Sequence, residues 1–554
     1  MESSLAYLYD LLGRNRIRIA LLSVLVSLYS LSGLAYALLF RGLADSAISG
    51  SAEGLRRYAW TFLAVLFAQS LLSACIRRMQ EITGADVENL LKKKLLENIF
   101  VRSYSDISLI HTGEWLNKFG NDISLVSRNA VHLLPNFCSV FVHILVSIAV
   151  LTDLVPGLVR MMLGLVLIAL IFEFFFYRRI KVLHKEVQEK DGLLRVFLQE
   201  CISSLMMIRS YEKEEAFLNA MDEHLDAHTK AKLRRNLFSV IMNFFFGTGI
   251  NGALILSSIY CAGEIIHQRI SYGTFVAVIQ IITLIRNPVT NIYSSIPNYY
   301  SMIGSIERIR EAETYPAEEK GKSINLRSYY ENDFEKIVLE NLSFEYLDNE
   351  DRRKVIRDLS FEIEKGSFTG ISGPSGCGKS TLFKLMLGLY RPISGEILID
   401  DHRLDASFRG LFAYVPQENL LMRGSIRDVI CFGEEYDVRR FDEALENACC
   451  REFVDRLEKG ADTELNEKGS GLSEGQMQRI AIARALYSER PILLLDEVTS
   501  ALDEELELRI LANIRKLPDR TVLMTTHRKK ALEHADRIVV CKEKDGEYIW
   551  QMKK

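Results

Sequence analysis

Along the first half of the chain, apolar residues gather into six stretches, at about 17–40, 58–76, 131–151, 156–176, 237–265 and 272–292. Each is long enough to cross a membrane, because a helix needs about 20 mainly apolar residues to span a hydrocarbon core of about 30 Å. The stretches come in pairs. Within the later pairs the links are short, 152–154 and 266–271, and carry only Arg269 as a strong base. Between pairs the links are long and cationic. In VENLLKKKLLENIF the lysines Lys92, Lys93 and Lys94 lie opposite apolar positions that recur at helical spacing, and Arg178, Arg179, Lys181, Arg234 and Arg235 mark the second long link. The excess of Lys and Arg places the long links, the N-terminus and everything after the sixth span in the cytoplasm. The first apolar stretch runs past signal-peptide length without a small-residue cleavage site, so it reads as a membrane helix. An integral, multi-pass protein with both ends in the cytoplasm, in a bacterial plasma membrane, is expected.

The pattern changes after residue 312. A stretch from 313 to 335 is polar, charged and without apolar period, as a linker is. From Lys336 onward, short β-rich runs alternate with helical ones: KIVLENLSFEY, SFTGISG, STLFKLMLGL, PILLLDE, TVLMTTH. Strands alternating with helices predict an α/β domain with a largely parallel sheet. A chain of 554 residues exceeds one core. The expected organisation is multi-domain: an all-α six-helix transmembrane domain over 1–312, the linker 313–335, and an α/β domain over 336–554.

Composition removes one class. A net charge of −4 and a pI near 6.3 give no basic excess, so no nucleic-acid partner is expected. The cysteines Cys75, Cys138, Cys201, Cys261, Cys377, Cys431, Cys449, Cys450 and Cys541 form no CxxC pair. They read as free thiols of a reducing compartment.

Chemistry enters with GPSGCGKS: Gly373, Pro374, Ser375, Gly376, Cys377, Gly378, Lys379 and Ser380, followed by Thr381, between a β run and a helical run. That is a phosphate-binding P-loop in the context the motif requires. Its glycines let backbone N–H groups close on the phosphates of ATP, Lys379 supplies a cation, and the Ser380 hydroxyl is a ligand for Mg²⁺. Cys377 reads as a small filler. Downstream, the apolar run 492–495 ends in Asp496 and Glu497. Asp496 is placed to hold the magnesium hydration shell, and Glu497 to orient or deprotonate the attacking water. His527, after TVLMTT, is placed to bridge that water and the γ-phosphate.

A further motif fixes the class of P-loop protein. Ser473, Glu474, Gly475 and Gln476 open the helical run QMQRIAIARAL, with Ser473 and Gln476 spaced as a capping box. Between a P-loop and LLLDE, the sequence LSEGQ resembles the signature of the ATP-binding cassette (ABC) transporters, and the resemblance covers nearly the whole chain. It implies that Tyr346 stacks on adenine, that Gln417 in YVPQENL is the Q-loop residue touching magnesium, that Glu467 is the exporter X-loop acid, and that Ser500 and Asp503 belong to the D-loop. It places two cytoplasmic coupling segments at 111–123 and 199–215.

The resemblance also implies ATP and Mg²⁺ as cofactors, and a second half-transporter as obligatory partner, because each ATP lies between one chain's P-loop and the other chain's signature. A homodimer is expected, since every hydrolytic residue is present; a heterodimer is the alternative. The expected activity is ATP-driven export of a hydrophobic or amphipathic substrate (lipid, drug or peptide) by alternating access. The alternatives are an importer of a chelate or cofactor and an ATP-gated channel or sensor. No peptidase domain precedes the first span, which argues against leader-peptide processing. His143, Glu173, Asn243, Asn251, Gln280 and Arg286 are polar residues within spans, each a candidate substrate contact or a helix-packing group. One departure stands out: the usual LSGGQ has glycine where this chain has Glu474, and an acid facing the partner's γ-phosphate predicts slower hydrolysis.

Overall fold

A computed structural model describes residues 2–318, 325–348, 351–418, 421–466, 471–498, 501–544 and 547–553. The chain folds as two compact units, Met1–Glu97 with Thr112–Ala312, and Asn98–His111 with Glu313–Lys554.

The first unit is helical. A short helix α1 (Glu2–Leu12) precedes six long ones: α2 (Asn15–Ile48), α3 (Ala52–Val101), α4 (Ile123–Leu154), α5 (Pro156–Ser203), α6 (Glu214–Ile266) and α7 (Tyr272–Glu311). Among the described residues, α2, α3, α6 and the segment 112–154 that contains α4 are long and apolar enough to cross a membrane. α5 and α7 hold the other two apolar stretches; the side chains of Glu173 and Arg286, in those helices, lie outside the described residues.

Local chemistry sets the helix ends. Pro156 starts α5, where its missing N–H costs nothing. Ser271 caps α7 by accepting from Thr274 N at 3.1 Å. The Asp45 carboxylate, near the end of α2, accepts from Gly273 N at 3.0 Å and Ser271 Oγ at 2.9 Å, tying α2 to α7. Some polar groups within the apolar stretches find partners on neighbouring helices. Ser139 Oγ donates to Val26 O at 3.2 Å, and His143 Nδ1 meets Ser30 Oγ at 2.9 Å, joining α4 to α2. His143 is buried, so its packing role has direct geometric support.

Before α4, a π-helical turn, Lys118–Asp122, buries two charges and satisfies both. The Lys118 ammonium pairs with Glu114 at 3.2 Å and Glu311 at 3.0 Å and sits over the Trp115 ring. Asp122 accepts from Ser305 Oγ at 2.7 Å and Arg308 Nε at 3.0 Å. Removing the Asp122 carboxylate leaves the buried Ser305 hydroxyl without its acceptor. Asp122→Ala is therefore expected to cost about 1–3 kcal/mol, read as a lower melting temperature of the purified protein in detergent; an unchanged melting temperature contradicts the assignment.

Among the described residues the second unit contains two main sheets, beside a two-stranded antiparallel pairing of Gly424–Ser425 with Glu464–Leu465. One is antiparallel, with strand order β2 (Asp351–Glu364), β1 (Lys336–Asp348), β4 (Ser394–Ile399), β5 (His402–Arg403). The other has the order β10 (Glu547–Lys553), β9 (Arg537–Lys544), β3 (Phe368–Ser372), β8 (Thr521–Thr525), β7 (Ile492–Asp496), β6 (Phe412–Val415). Every pairing in it is parallel except β9 with β10. Strands β7 and β8 are buried throughout, which their near-continuous apolar sequences ILLLD and TVLMT require. Within the expected linker, Leu326–Asn332 forms a helix whose buried Tyr330 bonds Thr521 Oγ1 at 2.8 Å. Residues Asn98–His111 belong to this unit, where the Tyr104 ring meets Tyr390 edge-on at 5.9 Å and Arg102 donates to Tyr315 O at 2.8 Å. They lie just before 111–123, the segment singled out as a coupling element.

Candidate active site

Strand β3 runs into the loop 373–378, and helix α8 (Lys379–Met386) begins directly after it. Gly376 and Gly378 adopt φ of 82° and 99°, a left-handed conformation that glycine takes without strain. At Gly378 a Cβ would also stand 2.8 Å from Val355 Cγ1. Pro374, Ser375 and Gly376 are exposed, whereas Lys379 is buried. Its ammonium donates to Gly373 O at 3.0 Å and Pro374 O at 3.2 Å, and also meets Glu497 Oε1 at 3.2 Å and His527 Nε2 at 3.1 Å.

Glu497 reaches Lys379 because the chain turns sharply as β7 ends. Its φ is 51°, rare for a side chain larger than glycine, and its backbone N–H is held by Thr525 Oγ1 at 2.8 Å. One carboxylate oxygen meets His527 Nε2 at 3.0 Å, and the other accepts from Gln417 Nε2 at 3.0 Å. The structure thus joins four predicted site residues, Lys379, Glu497, His527 and Gln417, in one network. His527 is half-exposed at its outer edge.

Asp496 lies behind that network, nearly inaccessible to solvent. Parallel register sets Thr525 beside it, so Thr525 Oγ1 donates to Oδ1 at 2.9 Å, and Tyr414 OH donates to Oδ2 at 3.1 Å. Burial pushes the Asp496 carboxyl above the usual carboxylate range, opposed by hydrogen bonds from Ser380, Thr525 and Tyr414. Burial and the neighbouring Asp496 likewise push the Tyr414 hydroxyl up. Tyr346 OH meets Thr381 Oγ1 at 3.1 Å, and its ring packs edge-on against Phe344 and Tyr390.

The signature opens helix α9 (Glu474–Tyr487). Ser473 Oγ accepts from Gln476 N at 3.3 Å while Gln476 Oε1 accepts from Ser473 N at 2.9 Å, which closes a capping box. Ser473 and Glu474 are exposed. Gly475 packs so closely that a Cβ would lie 3.0 Å from Ala501 O. Asp503 caps helix α10 (Glu504–Arg515) by accepting from Leu506 N at 2.8 Å. Glu467 and Ser500 lie outside the described residues. The roles of Thr525 and Tyr414 escaped the sequence reading; the one signal was their position on strands flanking the LLLDE run.

This geometry offers a cationic, N–H-lined loop, a carboxylate and an imidazole at its mouth, and a second carboxylate held behind by hydroxyls. It is suited to binding a polyphosphate and activating water beside it.

Comparison with known proteins gives the same class. Residues 19–289 match the model of the ABC transporter transmembrane region, and residues 356–500 match the model described as ABC transporter. ABC transporter B family member 1 of Dictyostelium discoideum is 29% identical over 491 residues, covering 86% of this chain but 53% of the relative, so the chain spans about half that protein's length. A lactococcin transport/processing ATP-binding protein, LcnC-like, of Lactococcus lactis is 28% identical over 95% of this chain and 73% of its own length. ATP-binding cassette sub-family B member 10, mitochondrial, of Mus musculus is 27% identical over 89% and 70%. The fold matches a bacterial Atm1-family ABC exporter solved with ATP bound, at a TM-score of 0.80, with 23% identity over 97% of this chain and 95% of that one.

A helical membrane region and a P-loop ATPase domain in one chain define an ATP-hydrolysing membrane transporter. The chain belongs to the ABC transporters, with the transmembrane and ATPase regions fused in one chain.

Because Glu497 sits in the network around Lys379, Glu497→Gln is expected to lower ATP turnover by about 100-fold or more. Phosphate release by the purified protein is the measurement, and substantial residual hydrolysis removes Glu497 from the catalytic role.

Proposed function

We propose that two copies of this chain form a homodimer that exports a hydrophobic or amphipathic substrate by alternating access, with hydrolysis at two ATP sites shared between the chains. The reading divides the chain into a membrane domain at 1–312, a linker at 313–335 and a cassette at 336–554, with both ends cytoplasmic. The observation that carries it is the network of Lys379, Glu497, His527 and Gln417 at the mouth of the P-loop.

In this reading the phosphates of ATP replace Glu497 as the acceptor for Lys379. Freed from that pairing, Glu497 takes the proton of the attacking water and His527 orients it. Tyr346 stacks on adenine, and Asp503 contributes through the D-loop. Ser380, Gln417 and Asp496 present the hard oxygen donors that suit magnesium, and the hydroxyls around Asp496 orient its carboxylate. When bound with ATP, magnesium neutralises charge on the β- and γ-phosphates. The partner's Ser473–Gln476 segment completes each site, which the exposure of Ser473 and Glu474 supports. Around Leu205–Ser210, the side chains of Met206, Met207 and Tyr211 are exposed.

Shared sites make a specific demand. Lys379→Ala and Ser473→Arg each disable both sites of a homodimer, yet a mixed dimer of the two variants keeps one intact P-loop facing one intact signature. Co-expressed under two tags and purified through both, the mixed dimer is expected to hydrolyse ATP when neither variant alone does; no recovered activity contradicts the shared site.

Glu474 carries its own test. A carboxylate at a helix start gains about 0.3–1 kcal/mol from the helix dipole, but a like charge roughly 5 Å away at an effective dielectric of about 20 costs about 3 kcal/mol. Repulsion dominates, so Glu474→Gly is expected to raise ATP turnover several-fold; unchanged affinity and turnover leave the charge without a role.

A further inference from the structure

Two thiols meet beneath the P-loop. Cys541 on β9 follows the parallel pair Val540 and Ser372, which places it beside the start of the loop. Cys377, four residues into the loop, folds back over the same place. A Cβ built on Gly373 would stand 3.0 Å from Cys377 Sγ and 2.6 Å from Cys541 Cβ. Both side chains converge on the space that glycine leaves, and the two thiols hydrogen-bond to each other. Neither is in a disulfide, and both are buried. The cover over Cys377 is thin, because its neighbours Pro374, Ser375 and Gly376 are exposed.

We propose that Cys377 and Cys541 form a reversible disulfide under hydroperoxide stress, and that this bond closes the P-loop to ATP. The pair divides the labour. The hydrogen bond from Cys541, with the nearby Lys379 charge, holds the Cys377 thiol down to about 7 despite its burial. Hydrogen bonding to Cys377 and burial push the Cys541 thiol up. Cys377 is therefore the attacking thiolate and Cys541 the resolving thiol. The Cys377 thiolate attacks one oxygen of a hydroperoxide, the O–O bond breaks, and the leaving oxygen takes a proton, giving a sulfenic acid and one molecule of water or alcohol. Cys541 sulfur then attacks the sulfenic sulfur; hydroxide leaves with the Cys541 proton as water, and the S–S bond forms. The peroxide is reduced by two electrons and the thiol pair oxidised by two.

A disulfide brings the sulfurs to about 2.0 Å, closer than a thiol–thiol hydrogen bond. That draws Cys377 toward β9, and with it Gly376 and Gly378, whose left-handed backbone shapes the N–H cradle. ATP on the loop covers the same thiol, so nucleotide and oxidant compete. A cysteine pair in a reducing compartment suits such a transient bond.

The test uses the full-length protein in lipid, treated with hydrogen peroxide with and without ATP, then mapped by mass spectrometry and assayed for ATPase. The expected result is a linked 377–541 peptide pair lacking two hydrogen atoms, slower to form with ATP present, and an ATPase about tenfold or more lower that dithiothreitol restores. Cys541→Val is expected to keep ATPase under reducing conditions and to form no link. Cys201 and Cys449, partly exposed and outside the apolar stretches, report that oxidant was sufficient. Absence of the linked peptide while those thiols oxidise overturns the proposal, as does full ATPase in the linked protein. The inhibition arm rests on the ATPase reading, whereas the linkage arm does not, so a linked peptide in a protein without ATPase refutes that reading alone.

Discussion

The Lys379 ammonium is a buried cation, and the catalytic half of the molecule is arranged around it. A charge removed from water must be repaid by close acceptors, and three converge on it: two loop carbonyls and a carboxylate, with the His527 imidazole beside them. The carbonyls come from the P-loop, which closes on Lys379 because its glycines accept left-handed backbone. The carboxylate arrives because Glu497 turns out of β7 at positive φ and is pinned there by Thr525. Parallel register holds β3, β7 and β8 side by side, so all these groups meet at one edge of one sheet. In the proposed reading an incoming phosphate competes for the same cation, and that competition links nucleotide binding to the release of Glu497.

The membrane half obeys the opposite solvent. Its apolar helices face hydrocarbon, and some of its polar groups pair across helices, as with Ser30 and His143, or Asp45 and the start of α7. Charge reappears where the helices leave the bilayer. There, Lys118 and Asp122 are buried but fully partnered by Glu114, Glu311, Ser305 and Arg308.

Much of this was legible in the sequence. Helix length and apolar content are local properties, as are the capping box at Ser473 and the P-loop itself, so they survive without knowledge of the fold. Contacts between distant segments were not. Nothing near Tyr414 or Thr525 in sequence announces that both donate to Asp496, because the pairing comes from strand order. Cys377 looked like filler for the same reason: 164 residues separate it from Cys541, and only the pairing of β3 with β9 brings the two together. The polar composition of 313–335 concealed Tyr330, whose burial depends on Thr521 in a distant strand.

The affinity of the protein for ATP tests the central competition most directly. If Glu497 and phosphate compete for Lys379, neutralising the acid in Glu497→Gln tightens ATP binding by about fivefold, the worth of a partly screened ion pair of about 1 kcal/mol. Calorimetric titration of the wild-type and variant proteins measures it. A tighter dissociation constant for the variant is predicted; an equal or weaker one contradicts the account.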